Sequence, residues 1–555
     1  MMTVCIQYTR PASGQNEGNI FGIDVAVNAF LSAWFRYGAA EKFICRPTDM
    51  PSFEHFKALA AAAGIDTDKR CIGLHPLTPQ HNMESIGCLF RPDPSIGNPL
   101  WQRAQVPGPG YAACGLIHTM SGERVARVVG ELILAPAAAG DALICPSEAI
   151  RDAVRRLWDI YAEYLNYKSG GSFACPIETP VIPLGVDAAS FAARATQEKR
   201  ATQRQALGAA ADEIVILFVG RLSFATKAHP LALWQAAERA AEKTGRRLRT
   251  VMYGYFMPPN MEKHFRALAA ATGKVSKIEF VTNDDTRFPD GMWAAADIFA
   301  SPSDNVQESF GLTPIEAMAA GLPVIASNWD GYRASIRDGR DGFLISTFAP
   351  PPEAGLAIAE RYFNDENYGV ALTGAAQSTA VDIGRCAEAI AVLATDENRR
   401  RAMGASGRAH AESTFDWKHV IRAYETLWEE LAQKRRAAAL RPPTPPGWPA
   451  AHPAFPNPFA VFRGFPSAVL ASPDHIRIVM DRAAMEALLA HEMNFFLPEL
   501  LAPKEALLEL AEIVRRAGAP SCGDILAAFP AAEHARLWRC LGWMLKFGIA
   551  AREDA

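Results

Sequence analysis

The sequence predicts an α/β protein in which helices wrap parallel sheets, and three features of the chain lead to this fold class. Apolar runs alternate with helical patterns between about residues 212 and 345, as in a doubly wound, Rossmann-like domain. Residues 1–195 show a looser mixture of strand and helix patterns. A proline-rich spacer and a mainly helical segment end the chain. The fold class is therefore α/β, with an additional small helical unit.

The first half begins with an apolar strand, Val4–Tyr8, a glycine-bearing polar loop at 13–22 and a helical pattern at 23–35. Residues 142–147 read as a buried strand that ends in a turn, with a helix starting at the next residue. A further strand is predicted at 181–187 and closes this half.

The second half carries the clearer alternation. Helical segments between most of its apolar runs imply a parallel sheet, and helices continue to about residue 438. The expected domains are 1–195, 196–438, a proline-rich linker at 439–464 and a helical accessory domain at 465–555. The apolar runs are 214–219, 250–253, 278–281, 298–301, 323–326 and 342–345.

Composition excludes several classes of function. The chain has 555 residues, 49% of them apolar and 21% charged, as in globular proteins with large cores. A formal net charge of -4 gives no basic field for nucleic acid or acidic membranes. No apolar run is long enough to predict a membrane-spanning helix, and no secretory signal is predicted.

The pattern of cysteines indicates the redox environment in which the protein works. The ten cysteines are scattered, without a Cys-x-x-Cys pair, which favours a reducing environment and no zinc site. We expect a cytoplasmic protein, with peripheral attachment to the inner membrane face as an alternative.

The most informative stretch is 308–326, where Pro314 suits the first turn of a helix. The helix N-terminus should lie at 311–313, where free N–H groups and the helix dipole favour a phosphate. Gly311 would let the backbone approach it closely. Glu316 would lie about one turn inside the helix, where its carboxylate can accept two ribose hydroxyls.

Two carboxylates also raise the alternative of a glycosidase. If Glu308 and Glu316 lay on one helix, they would be about 12 Å apart along its axis. Glycosidase carboxyl groups are separated by roughly 5 to 9.5 Å, so the spacing disfavours this alternative.

A second motif, Gly220 and Arg221 followed by Lys227, comes directly after the buried strand 214–219. Its two cations should emerge at the carboxyl edge of the sheet, where doubly wound folds bind ligands. A guanidinium and an ammonium there would stabilise a diphosphate leaving group as it gains charge.

These residues together resemble the retaining glycosyltransferases of family 4, whose GT-B fold places two Rossmann-like domains on either side of a cleft. The resemblance covers residues 1 to about 435 and is more specific in the second half. Residues 415–417, followed by a long helix, resemble the family's segment that crosses back to the first domain. The other supporting segments are 144–147, 181–187, 300–303 and 339–345.

The resemblance implies a role for each matching residue. Glu308 would face the donor sugar, Glu316 the ribose, and Arg221 and Lys227 the diphosphate. His118 would face the cleft near the donor sugar, with a structural histidine as the alternative. The remaining donor-binding residues would be Gly220, Gly311, Leu312 and Thr313, together with Gly18 and Gly22 of the first loop.

Two features depart from the family pattern. The spacing from Arg221 to Lys227 is one residue longer than usual, and Gly18 and Gly22 replace an adjacent glycine pair. For those two glycines a plain turn is the alternative to donor-phosphate contact.

The implied activity is transfer of a sugar from a nucleotide-diphosphate sugar, with retention of configuration, to a saccharide, a lipid-linked saccharide or a protein. No cofactor is expected, and no metal, because Asp284 and Asp285 are adjacent and form no spaced Asp-x-Asp motif. A sugar-nucleotide-binding protein without transfer activity and an epimerase on the same fold are the alternatives.

A nucleic-acid-binding regulator, built on a winged-helix-like tail, is a third alternative. Residues 465–555 carry nine Lys or Arg and twelve Asp or Glu, hence a net charge of -3, which is a poor balance for binding phosphate backbones. We therefore expect the tail to pack against a domain or to bind a protein partner.

Overall fold

The structure is a computed structural model that describes residues 3–10, 22–75, 83, 85–105, 110–122, 124–365, 367–438 and 451–553. The chain separates into two compact units, Met1–Trp448 and Pro449–Ala555. The change of unit falls inside the stretch predicted as a linker.

The first sheet of the larger unit has six parallel strands in the order β3-β2-β1-β4-β5-β6, the order of a Rossmann fold. Its strands are β1 (Val4–Tyr8), β2 (Phe43–Pro47), β3 (Cys71–Gly73), β4 (Cys88–Arg91), β5 (Ala112–Leu116) and β6 (Ala142–Ile144). Its helices are α1 (Gly22–Tyr37), α2 (Met50–Ala62), α3 (Thr67–Arg70), α4 (Gly97–Ala104), α5 (Val125–Gly130) and α6 (Glu148–Ser169).

The second sheet has the same topology, because its six parallel strands follow the order β12-β11-β10-β7-β8-β9. Two helices, α7 (Ala188–Arg194) and α8 (Gln197–Leu207), precede it. The strands are β7 (Ile214–Val219), β8 (Leu248–Gly254), β9 (Lys277–Thr282), β10 (Ile298–Ser301), β11 (Val324–Ser327) and β12 (Gly342–Ile345). The helices among them are α9 (Leu231–Thr244), α10 (Glu262–Thr272), α11 (Leu312–Ala319) and α12 (Tyr332–Ser335).

A helical hairpin follows the second sheet on a short antiparallel stem. The stem pairs β13 (Thr347–Phe348) with β14 (Ala380–Val381), and the hairpin consists of α13 (Leu356–Asp365) and α14 (Tyr368–Gln377). Helices α15 (Ile383–Thr395) and α16 (Glu397–His410) then complete the second domain.

Helix α17 (Trp417–Ala437) returns to the first sheet, as the family resemblance implied. Its aromatic face enters the core of that domain, where Tyr424 packs on Phe30 with ring centroids 4.9 Å apart and Trp428 packs on Phe90 at 5.1 Å. Burial of such large rings makes α17 a shared part of both domains.

The smaller unit contains five α-helices, three short 3₁₀ helices and one antiparallel strand pair in the part that the structure describes. A core of buried leucine, isoleucine and methionine side chains holds it together. Its elements are α18 (Pro458–Val461), β15 (His475–Ile478), α19 (Arg482–Leu489), α20 (Lys504–Arg516), α21 (Cys522–Ala527), α22 (His534–Lys546) and β16 (Ala550–Glu553). Of all the helices described in the chain, none is long and apolar enough to cross a membrane.

The predicted fold class, a GT-B arrangement of two Rossmann-like domains with a small mainly helical unit, is confirmed. One predicted strand is wrong: residues 181–187 make only isolated bridges, from Val181 to Cys145 and from Val186 to Asp416. Pro183 lacks the N–H that a regular ladder needs, so the segment cannot continue as a strand.

Candidate functional site

The site lies where the strand order of the second sheet reverses, between β7 and β10. Doubly wound folds bind ligands outside the carboxyl ends of such strands. A cavity of about 520 Å³ opens there, towards the first domain. Its lining comprises Ala26, His118, Thr119, Leu184, Val219, Gly220, Arg221, Thr226, Lys227, Tyr253, Gly254, Tyr255, Asn283, Gln307, Glu308, Ser309, Phe310, Gly311, Leu312, Thr313 and Glu316.

Glu308 is the most tightly held carboxylate of the cavity. Lys227 Nζ donates a hydrogen bond to its Oε2 and forms an ion pair, with side chains only 18% and 11% exposed respectively. Burial alone would raise the pKa of Glu308, but the Lys227 charge and hydrogen bond, a Tyr332 hydrogen bond and the Arg221 charge together hold it below its usual value. Glu308 is therefore ionised at neutral pH.

Tyr332, at the start of α12, supports Glu308 from behind. Its hydroxyl donates to Glu308 Oε2 at 3.0 Å and lies 3.1 Å from Ser301 Oγ, which can donate to it in turn. Burial, followed by the charge of Glu308, raises the pKa of Tyr332 well above its usual value. The phenol thus stays protonated and remains a donor.

Arg221 differs from Lys227 in having no carboxylate partner within the described part of the chain. Its Nη2 makes only long contacts of 3.4 Å, to Thr226 O and to Gln307 Oε1. The guanidinium is half-buried at the cavity wall, so its charge is available to a ligand.

Glu316, the predicted ribose partner, lies on α11 at the cavity wall. Its carboxyl group has no hydrogen-bond partner among the described residues. Burial raises its pKa to about 7, against the opposing charges of Arg194 and Lys227. The Glu316 side chain is half-buried, so leaving its carboxyl group unpaired is costly, and two hydroxyl donors from a ligand would satisfy it.

Helix α11 begins at Leu312, with Gly311 as its N-cap at φ 85° and ψ 79°. A side chain at Gly311 would collide with the Tyr332 ring, since a Cβ atom would lie 1.9 Å from it. Only glycine fits this left-handed position. Thr313 Oγ1, in the first turn, is buried without a partner in the part of the chain that the structure describes. The helix N-terminus therefore presents unused donors to the cavity.

The first domain contributes His118, which lies opposite the α11 end. Its Nε2 lies 2.8 Å from Pro92 O and must donate to that carbonyl, which leaves Nδ1 as an acceptor. Burial lowers the pKa of His118, against the Pro92 hydrogen bond and the Asp93 charge. His118 is thus neutral at pH 7, and its own carbonyl accepts a hydrogen bond from Ser309 Oγ of the second domain.

A second contact joins the two domains behind Glu308. Ser147, at the N-terminus of α6, donates to Ser309 O at 3.0 Å and lies 3.2 Å from Asp330 Oδ1. Burial and then the Glu308 charge raise the pKa of Asp330 to about 7. These contacts fix the positions of the two cavity walls relative to each other.

The predicted site residues fall into two groups. The cavity lining brings together nine of them: Glu308, Glu316, Arg221, Lys227, His118, Gly220, Gly311, Leu312 and Thr313. Gly22 is the first residue of α1 and is not part of the described lining, and Gly18 lies outside the described residues.

Sequence reasoning missed Tyr332 and Ser301, which support Glu308, and Ser147 and Asp330, which join the domains. Ser147 and Ser301 lie within two segments that resemble the family, 144–147 and 300–303, and this resemblance could have marked them as candidate site residues. Tyr332 and Asp330 carry no local pattern that could have identified them.

Comparison with known proteins relates the chain to glycosyltransferases. Residues 199–367 match the family model described as glycosyl transferases group 1. The D-inositol 3-phosphate glycosyltransferase of Geodermatophilus obscurus is 30% identical over 320 residues, which are 57% of this chain and 58% of that protein. The D-inositol 3-phosphate glycosyltransferase 2 of Catenulispora acidiphila is 34% identical over 233 residues, 41% of this chain and 49% of that protein.

The chain thus spans about half the length of the curated relatives it matches. Among solved structures, Anabaena HepE in complex with UDP aligns over 77% of this chain and 100% of its own, with a TM-score of 0.50 at 16% identity. This likeness concerns the fold. The chain therefore contains a region that matches glycosyl transferases group 1, within a GT-B fold, and it resembles the glycosyltransferases of family 4.

Proposed function

We propose that the protein transfers a sugar from a nucleotide-diphosphate sugar to an acceptor, with retention of configuration and without a metal ion. The observation that carries this proposal is the convergence of Arg221, Lys227, Glu308 and Glu316 on one cavity at the carboxyl edge of β7 and β10. The chemistry of these groups matches the parts of such a donor.

The diphosphate is the part that the cations recognise. Its negative charge grows as the bond to the sugar breaks, so cations aimed at it stabilise the transition state more than the ground state. Arg221 offers a guanidinium that has no carboxylate partner among the described residues. Lys227 offers an ammonium that already forms an ion pair with Glu308. The N-terminus of α11 supplies backbone donors for the phosphate oxygens.

The ribose and the sugar are the parts that the carboxylates recognise. Glu316, one turn inside α11, has a carboxyl group without a hydrogen-bond partner among the described residues. It would accept hydrogen bonds from the two ribose hydroxyls. Glu308 is ionised and fixed by Lys227 and Tyr332, so it would accept hydroxyls of the donor sugar. His118 would face that sugar from the first domain, as a neutral acceptor through Nδ1.

Retention would follow from attack on the same face that the diphosphate leaves, with the departing phosphate oxygen taking the acceptor proton. The protein then needs to hold charge and geometry rather than supply a base. Closure of the two domains, which already share hydrogen bonds at Ser309, would exclude water and limit hydrolysis.

The comparisons suggest which ligands to test first. HepE was crystallised with UDP, so UDP-sugars are the first donors, followed by GDP- and ADP-sugars. The curated relatives carry the name of D-inositol 3-phosphate glycosyltransferases, so D-inositol 3-phosphate is the first acceptor.

A thermal-shift screen of the three donor classes, followed by proton NMR of the product, tests the proposal. We expect one class to raise Tm and to be cleaved with the anomeric configuration retained. The cleavage rate should be the same in EDTA. Activity lost in EDTA and restored by manganese, an inverted product, or a rearranged donor sugar as from an epimerase would each contradict the proposal. Tm shifts without any cleavage or transfer would instead favour the sugar-nucleotide-binding alternative.

Replacing Tyr332 by phenylalanine should lower kcat about fivefold, because it removes one hydrogen bond of about 1 kcal/mol to Glu308. The effect is modest because Lys227 still holds the carboxylate. Tyr167→Phe is the matched control, since it removes an exposed phenol of the first domain that lies outside the described cavity lining. The measurement is donor cleavage at saturating donor, and equal kcat values for Tyr332→Phe and wild type would exclude a supporting role for Tyr332.

A further inference from the structure

The loop from residue 220 to 230, between β7 and α9, carries Lys227 and has no regular secondary structure. It is partly closed on itself, because Lys227 N donates to Ser223 O at 3.0 Å and Thr226 Oγ1 donates to Ser223 Oγ at 2.9 Å. These local bonds do not fix where the loop lies above the sheet. The start of the loop is fixed at Leu222, whose N donates to Tyr255 O at 2.8 Å, and the later part depends on contacts with the segment that follows β10.

Two side chains after β10 donate to carbonyl groups of this loop. Asn305 Nδ2 donates to Ala225 O at 2.7 Å, and Ser303 Oγ donates to Lys227 O at 3.1 Å. Both donor side chains are fully buried, so each would be left without an acceptor if its loop carbonyl moved away.

Asp304, which lies between Ser303 and Asn305 in the sequence, contacts the loop as a hydrogen-bond acceptor. His229 N donates to Asp304 Oδ1 at 3.2 Å, and Asp304 is 6% exposed. Three successive side chains therefore hold every second residue of 225–229. The loop, which turns back on itself at 224–227, is thus held at three main-chain groups by the segment that follows β10.

The Asn305 side chain also contacts the segment that leads to Glu308. Its Oδ1 accepts from Gln307 N at 2.9 Å, and its main-chain oxygen accepts from Trp329 Nε1 at 3.1 Å. One carboxamide thus joins the Lys227 loop through its donor end and the Glu308 turn through its acceptor end. An asparagine carboxamide offers an NH₂ donor and a carbonyl acceptor in one planar group, which an ionised carboxylate cannot do.

We propose that Asn305 is a positioning residue, which sets the Lys227 ammonium against the Glu308 carboxylate and so aligns Lys227 on the donor diphosphate. This inference rests on the proposed function. Asn305 does not line the cavity, so it acts through Lys227 and not by touching the ligand. Any loss caused by changing it should disappear once Lys227 itself is absent.

The test is a double-mutant cycle on Asn305 and Lys227. Calorimetric titration would measure the affinities of wild type, the two single variants and the double variant for UDP and for uridine. Inorganic pyrophosphate, which carries no nucleobase, is the third ligand. We expect Asn305→Ala to weaken UDP and pyrophosphate binding about tenfold and to leave uridine binding unchanged. In the Lys227→Ala background the same change should cost less than about twofold.

Two further variants separate positioning from loss of fold. Asn305→Asp keeps the shape and the acceptor for Gln307 N but places an oxygen against Ala225 O, so it should match Asn305→Ala. Asn328→Ala removes an exposed asparagine of the same domain and should bind UDP as wild type does. Melting temperatures identify any variant that fails to fold, and Asn305→Asp then carries the test.

Several results would overturn the inference. They are a wild-type affinity in Asn305→Ala, a wild-type affinity in Asn305→Asp, and an equal loss with and without Lys227. If wild type binds neither UDP, GDP, ADP nor pyrophosphate, the proposed function fails and this inference falls with it. Normal binding by wild type with independent, additive effects contradicts only the positioning role.

Discussion

Replacing Arg221 by alanine is expected to lower kcat for donor cleavage about 100- to 1000-fold, the usual cost of removing one preorganised group from a developing negative charge. The guanidinium lines the cavity and has no carboxylate partner among the described residues, so its loss leaves no buried anion behind. Affinity for the free nucleoside should not change, because Arg221 acts on the diphosphate. The measurement is kcat with the best donor, beside the nucleoside Kd.

Two variants serve as controls for Arg221→Ala. Arg247→Ala removes an exposed arginine that pairs with Asp212 on the surface of the same domain, and it should cleave donor at the wild-type rate. Lys227→Ala removes the partner of Glu308 as well as a diphosphate cation, so it should affect binding and turnover together. An Arg221→Ala variant with wild-type kcat would exclude Arg221 from leaving-group stabilisation.

Replacing Glu316 by alanine should weaken donor binding about 10- to 150-fold, because hydrogen bonds to a charged group contribute about 1.5 to 3 kcal/mol. The loss should appear in the Kd of the nucleotide sugar and of the nucleoside alike, since both carry the ribose. This pattern separates Glu316 from Arg221, whose loss spares the nucleoside. Equal nucleoside affinity in Glu316→Ala and wild type would contradict ribose recognition by this carboxyl group.

Donor affinity should also depend on pH through Glu316. Burial raises the pKa of Glu316 to about 7 in the free protein, and hydroxyl donors from ribose favour the ionised form, so binding lowers this pKa. The affinity should therefore be highest above pH 7 and fall by up to about tenfold per pH unit below it. The fall ends at the lowered pKa of the complex.

Glu316→Gln is the matched control for this pH dependence, because it keeps an acceptor oxygen but cannot titrate. Asp330, whose pKa is also about 7, remains in this variant, so any residual dependence belongs to other groups. The measurement is the Kd of a nucleotide sugar between about pH 5 and pH 8. Parallel profiles for wild type and Glu316→Gln would assign the dependence elsewhere.

The second domain could be predicted well because its strands are continuous apolar runs. Predicted strands 214–219, 298–301 and 342–345 coincide with β7, β10 and β12, since strands buried on both faces lack polar interruptions. In the first domain only β1 and β6 were predicted. Its other strands are short and rich in cysteine or alanine, as in β3 and β5, and resemble helix or loop by pattern.

In the candidate site, residues whose positions follow from a local sequence pattern could be predicted. Residues whose positions depend on contacts distant in sequence could not. Glu316 and Gly311 could be placed from sequence because a helix N-terminus fixes their spacing. The one-residue longer loop to Lys227 gave no such guidance, since its course depends on Asn305, some 80 residues away in sequence. Tyr332 was missed for the same reason, because its contact with Glu308 exists only once β10 and β11 pair.

Release of nucleoside diphosphate from UDP-, GDP- and ADP-sugars, followed by chromatography for wild type and Arg221→Ala, tests the central claim most directly. We expect wild type to cleave one donor class and Arg221→Ala to cleave the same donor about 100- to 1000-fold more slowly. No release from any donor by the folded wild-type protein, with and without acceptor, or equal rates for the two proteins, would contradict it.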